Sequence, residues 1–200
     1  MSDLHGNAPD RSAVALILID VVNDLEWPGA EEMFPRAMEM GKRISDLKAR
    51  ATRHRIPTIY VNDNFGRWKS DFRAQIARCL EPNVRGRPLV ELLRPSEDDY
   101  FVLKPMHSGF FGTTLELLLR HLEARTLVLA GIAANNCVLF TANDAYMRGY
   151  ELVIPSDAVA ANSRAEADAA LAHLRTVVKA STPSAAEVDF GALLSGRGSS

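Results

Sequence analysis

Four short stretches of this chain are apolar almost from end to end: AVALILID (13–20), PTIYVND (57–63), YFVLK (100–104) and TLVLAGI (126–132). A strand with one wet face alternates apolar and polar residues, whereas a continuous run implies burial on both faces. Strands buried on both faces need helices above and below, which is the demand of a parallel sheet. A fifth run, YELVIP (150–155), and a weaker sixth, TVVKAS (176–181), extend the series. Segments of helical period lie between the runs. PRAMEMGKRISDLKARATRH brings Met38, Ile44 and Leu47 towards one face. TTLELLLRHLEA opens on Thr113 or Thr114 as N-cap, with Glu116 in its first turn. NNCVLFTANDAYMRG stops on Gly149, and SRAEADAALAHLR starts with a capping box from Ser163 to Glu166. Alternating strands and helices predict a three-layer α/β fold with right-handed crossovers.

The 200 residues, 47% of them hydrophobic, suit one domain with a sizeable core. We expect it over residues 13–194, with an N-terminal extension at 1–12 and a flexible tail at 195–200. A formal charge of -2 gives no electrostatic basis for nucleic acid or an anionic membrane as partner. The start, MSDLHGNAPDRS, lacks a signal-peptide profile, and no apolar run nears the roughly 20 residues that span a bilayer. Two cysteines make no disulfide framework, so a cytoplasmic, thiol-reduced protein is expected. The stretch 64–98, rich in Arg and Pro, carries one short helix pattern, SDFRAQIARCL, and suits a lid or pocket wall.

Ligands of open parallel sheets bind beyond the carboxyl ends of the strands. Three reactive side chains fall there: Asp20 closes the first strand, Lys104 the third, and Cys137 follows the fourth by a short turn. Each has a bland reading of its own, as turn former, solvated strand end and small buried filler. Their coincidence on one edge favours a site. Burial should raise the Asp20 pKa unless a cation such as Lys104 compensates, and a thiol at a helix start beside an ammonium should ionise more readily. The trio supplies a nucleophile, a proton carrier and a positioned charge. Cys79, on the amphipathic pattern DFRAQIARCL, is expected to be inert packing.

LILIDVVNDL, FVLKPMHSGFFGTTLELLL and LVLAGIAANNCVLFTANDAYMRGYELVIPSDAVA resemble the three signature regions of the isochorismatase-like cysteine hydrolases, from about residue 13 to about residue 180. That superfamily includes nicotinamidases, N-carbamoylsarcosine amidases, ureidoacrylate-type amidohydrolases and isochorismatases. The resemblance implies a six-stranded parallel sheet in Rossmann-like order 3-2-1-4-5-6 and a catalytic Asp20, Lys104 and Cys137. It also implies a cis peptide between Ile132 and Ala133, and an oxyanion hole made by the N–H groups of Ala133 and Cys137. Homodimers or homotetramers are expected on the same basis.

Departures narrow the chemistry. Val22 and Leu25 stand where the family commonly has Gln and Phe. Nicotinamidases carry Asp-x-His after the second strand to hold a metal; here Asp63 matches, but Phe65 takes the histidine position. His5, His54, His107, His121 and His173 show no metal-ligand spacing with it, so neither metal nor other cofactor is expected, and nicotinamide is disfavoured as substrate. Isochorismatases lack the cysteine, so Cys137 favours acyl transfer: hydrolysis of a small amide or ureido bond through a thioester. The alternatives are hydrolysis of a vinyl ether or ester-like bond without an adduct, and a silent assembly domain. Asn64, Phe65, Trp68, Phe110 and Asn136 are the candidate substrate contacts, with Phe110 and Phe111 equally suited to the core. Arg67, Arg73 and Arg78 suit a solvated basic face or a carboxylate-attracting lid.

Overall fold

A computed structural model of the protein describes residues 11–66 and 71–196. Strand β1 (Val14–Ile19) shows why the chain adopts three layers. All six of its residues are fully buried, and alternate side chains go to opposite cores. Val14, Leu16 and Leu18 join a cluster under helix α1 (Ala30–Arg53). Ala15, Ile17 and Ile19 join a second cluster under α4 (Leu115–His121), α5 (Leu139–Met147) and α6 (Arg164–Thr176). At roughly 25 cal/mol per Å² of apolar surface, this double coverage is the main stabilising term of the fold.

The sheet is parallel throughout and runs β3 (Tyr100–Lys104), β2 (Thr58–Asp63), β1, β4 (Thr126–Ile132), β5 (Glu151–Val153). Its sixth strand departs from the 3-2-1-4-5-6 expectation. β6 is Val159–Ala160 and pairs with β4, not with β5. β5 covers only Thr126–Val128 of β4, and β6 covers Gly131 and Ile132, so the two share one lane. The run 176–181 is no strand. Helix α6 continues to Thr176, Val177 N donates to His173 O, and Ala180 N turns back to Leu174 O. Those bonds use the backbone a strand would need, leaving one bridge from Ser181 to Val153.

Helix α1 begins at Ala30, five residues before the expected Pro35, which lies on its solvent side. Its buried stripe is Met33, Ala37, Met40, Ile44, Leu47 and Ala51, so Met40 takes the place expected of Met38, which is half-buried. The capping box of α6 forms as expected, and α5 ends at Met147, two residues before Gly149, whose φ is 83°. The excursion after β2 holds two short helices, α2 (Phe72–Cys79) and α3 (Arg87–Leu92). Its described part is no lid: Phe72, Cys79, Leu89, Val90 and Leu93 are buried in the α1 core. Cys79 is packing, and burial pushes its thiol up to about 12. Among the described residues, no helix is long and apolar enough to cross a membrane.

Gly131, near the end of β4, has a φ of 127°, and a Cβ there would sit 2.0 Å from the carbonyl oxygen of Ile19. Neither backbone can yield without separating the two central strands. Gly131→Ala should therefore destabilise the protein by more than about 3 kcal/mol, measured as a fall in urea midpoint. A midpoint equal to wild type would mean that β1 and β4 separate freely here.

Candidate active site

The parallel register brings the ends of β1, β2, β3 and β4 to one edge, and each presents a polar side chain. Asp20 follows β1 with φ 51°, a left-handed conformation that costs a non-glycine residue roughly 1–2 kcal/mol. Its amide donates to Val61 O at 3.0 Å, and its Oδ1 accepts from the Asp63 amide at 2.7 Å. Lys104 pairs in register with Asp63. Its ammonium is completely buried and reaches Asp20 Oδ2 at 2.9 Å, Asp63 Oδ2 at 3.4 Å and Cys137 Sγ at 3.4 Å. Lys104 thus holds the Asp20 carboxylate and the Cys137 thiol beside each other, and each acts on the other's ionisation.

Cys137 lies in a single wide helical turn, Ala134–Val138, a π-turn that opens α5. The Ala133 carbonyl accepts from Asn136 N at 3.0 Å and from Val138 N at 3.2 Å. An α-turn would have bonded it to Cys137, so the widened turn passes over that residue. The Ile132–Ala133 peptide bond is cis.

Burial raises the Asp20 pKa above the usual carboxylate range; Lys104 and the hydrogen bonds from Cys137 and the Asp63 amide offset only part of it. Burial would depress Lys104, but Asp20, Cys137 and Asp63 together hold it above its ordinary value. For Cys137, burial and the Asp20 charge outweigh Lys104 and push the thiol up to about 12. This reverses the expectation of a readily ionised thiol. At rest the sulfur keeps its proton, beside a carboxylate whose raised pKa brings it closer to accepting one.

A cleft of about 270 Å³ opens over Asp20 and Cys137, walled by Asn23 and Trp27 on one side and Asn135 and Asn136 on the other. A wider groove of about 690 Å³ lies near Thr52, Pro57 and Tyr100, at the amino ends of the strands. Size would choose that groove, but the reactive groups lie at the other end.

Asp20, Lys104 and Cys137 thus come together, and Ala133 and Asn136 line the cleft beside Asp20 and Cys137, with Lys104 buried behind them. Three expected contacts do not. Asn64 is buried and turned into its own bend, where its Oδ1 accepts from Gly66 N at 2.9 Å. Phe65 is 40% exposed and does not line the cleft. Phe110 belongs to the core, its ring 6.0 Å from that of Tyr150 and covered by Arg148. Trp68 and Arg67 lie outside the described residues. Residue-by-residue reading missed Asn23 and Trp27, although both follow the strand end that carries Asp20. It also missed Asp63 as a partner of Lys104, although Asp63 closes β2 in the same manner.

Nicotinamidase-type metal binding does not fit these side chains. Asp63 is engaged by Lys104 and Phe65 offers no donor. Among the described residues, no group of three His, Cys, Asp or Glu side chains is placed to hold a metal ion.

The model of the Isochorismatase domain matches residues 14–186. The isochorismatase family protein YaaI of Bacillus subtilis is 38% identical over 164 residues, covering 82% of this chain and 90% of that protein. Ureidoacrylate amidohydrolase RutB of Methylorubrum extorquens is 41% identical over 81 residues, 40% of this chain and 33% of that protein. Among solved structures, N-carbamoylsarcosine amidase from Thermoplasma acidophilum is 28% identical with a TM-score of 0.67, covering 88% of this chain and 98% of that one. The nicotinamidase of Staphylococcus aureus, at 20% identity and a TM-score of 0.66 over 86% of this chain and 98% of that one, shows a likeness of fold alone.

The raised thiol has a consequence for stability. Between its ordinary 9.0 and about 12, native Cys137 keeps a proton that the unfolded chain loses. Stability contributed by this group is therefore complete below 9.0 and declines as pH rises through that window. Cys137→Ala should lose stability less steeply from pH ~8 to ~10.5. The gap should move in its favour by at most about 1.4 kcal/mol per pH unit, read from urea unfolding of both proteins. Parallel curves would show that the thiol is not held protonated.

Proposed function

The chain belongs to the isochorismatase family of hydrolases, and from that premise we propose that it cleaves a small amide or ureido C–N bond through a thioester on Cys137. The observation that carries this reading is the meeting of Asp20, Lys104 and Cys137 at one cleft. A thiol pushed up to about 12 is a weak nucleophile unless a base takes its proton as it attacks. Asp20 is that base, held beside the thiol by the shared Lys104 ammonium.

In the first half-reaction Sγ bonds to the substrate carbonyl carbon, the thiol proton passes to Asp20, and the carbonyl oxygen gains the negative charge. The N–H groups of Ala133 and Cys137 receive that oxyanion, the latter released by the wide turn from its α-helical acceptor. Collapse breaks the C–N bond, and Asp20 protonates the departing nitrogen. Water then attacks the thioester, giving a proton to Asp20, and the C–S bond breaks. The sulfur leaves as thiolate and recovers its proton from Asp20. Lys104 stays charged throughout and balances whichever partner, carboxylate or thiolate, carries the negative charge. Trp27 offers a flat apolar wall, and Asn23, Asn135 and Asn136 offer amides to a polar substrate.

The test is ammonia release from a panel of small primary amides and ureido acids, with intact-protein mass spectra during turnover. An acyl adduct should appear on wild type, and Cys137→Ala should lose at least about 10³-fold in kcat/KM. Turnover by Cys137→Ala equal to wild type would end the thioester reading and favour cleavage without an adduct. Trp27→Ala should raise KM more than it lowers kcat, since it removes only a binding wall.

A further inference from the structure

One histidine near the thiol has no part in the mechanism above. His107 sits three residues after Lys104, on the connection from β3 to α4, with its Nδ1 3.9 Å from Cys137 Sγ. The ring is exposed, but its placement is built from several sides. It stacks on Phe140, which follows Cys137 by one turn, with ring centroids 5.4 Å apart and planes 30° apart. The next residue, Ser108, donates its hydroxyl to Asp144. Gly109 N donates to Thr141 Oγ1 at 3.0 Å, and that hydroxyl donates to the Cys137 carbonyl at 2.7 Å. The loop carrying His107 is thus fastened to the first turns of α5, directly after Cys137.

Proton accounting gives His107 its role. A thiol has one proton, and in the mechanism above Asp20, held on the same ammonium, takes it. Lys104, an ammonium, only donates, so the sulfur already has one donor at 3.4 Å. The charged groups facing the sulfur are Asp20, Lys104 and, behind Lys104, Asp63. We propose that His107 is the second donor to the Cys137 sulfur, its Nδ1–H stabilising the thiolate as the proton passes to Asp20. A contact of 3.9 Å is weak against a neutral thiol. It strengthens as sulfur gains charge, so it favours the reacting form over the resting one. The assignment rests on the reading of Cys137 as the nucleophile.

The experiment reads the thiol without any substrate. Full-length wild type, His107→Phe and His107→Gln are alkylated with iodoacetamide from pH ~6 to ~10, and the Cys137 peptide is followed by mass spectrometry, separately from that of Cys79. Phe keeps the stack on Phe140 and removes the donor; Gln restores an N–H. His107→Phe should alkylate about fivefold more slowly near neutral pH, with its profile displaced to higher pH, and His107→Gln should recover most of the rate. Equal rates in wild type and His107→Phe overturn the proposal. So does a faster His107→Phe, which would make the ring a cover over the sulfur. A His107→Gln as slow as His107→Phe also overturns it, because packing and not donation would then set the rate. Amide turnover that survives Cys137→Ala would refute the thioester route but leave these alkylation rates intact, so the two failures are distinguishable.

Discussion

Lys104 is an ammonium with no access to water, and the arrangement of the site follows from that. A buried charge is tolerable only when paired and hydrogen-bonded, and removing its partner costs on the order of 3–5 kcal/mol. Here the partners come from three other strand ends: Asp20 after β1, Asp63 at the end of β2 and Cys137 after β4. The ammonium therefore ties together the carboxyl edge of the sheet. It also keeps a carboxylate and a thiol in contact when burial alone would favour neutral groups.

That arrangement requires a frame that does not yield. β1 lies at the centre with β2 and β4 beside it, and every one of its side chains is buried in one core or the other. The Gly131 backbone lies against the Ile19 carbonyl, so the ends of β1 and β4 pair more closely than any side chain at 131 would allow. The left-handed Asp20 turns the chain out of β1 while its carboxylate stays bonded to the Asp63 amide. Strain at one residue is held by hydrogen bonds from the neighbouring strand, a pattern found where geometry matters to chemistry.

Opposing electrostatic contributions set the state of the thiol. A nearby ammonium and a helix start argue for an ionised sulfur, while burial and an adjacent carboxylate argue against it. At the distances found here the second pair wins, and the thiol pKa is pushed up.

Continuous apolar runs identified β1 to β4; burial on both faces explains that mark in β1, β2 and β4, whereas β3 is an edge strand whose Phe101 is 59% exposed. Asp20, Lys104 and Cys137 were legible for a related reason: residues at the ends of such runs in a parallel sheet share one edge. The capping box at Ser163 and the stop near Gly149 were legible because they are local. Less was visible where partners are distant. Whether residues 176–181 pair or finish a helix depends on the Ala180–Leu174 bond, and the lane shared by β5 and β6 depends on how far β4 extends. Phe110 faces the core and Asn64 its own bend because loops choose their side by what they pack against. By itself, then, the sequence determined the layered parallel fold and the chemical types at the carboxyl edge of its sheet, since periodicity and strand-end position are properties of the chain. Only the tertiary structure decided which walls enclose the cleft, that Asp63 and His107 stand beside Asp20, Lys104 and Cys137, and that burial pushes the thiol pKa up. Those outcomes depend on distances of a few ångströms between residues far apart along the chain.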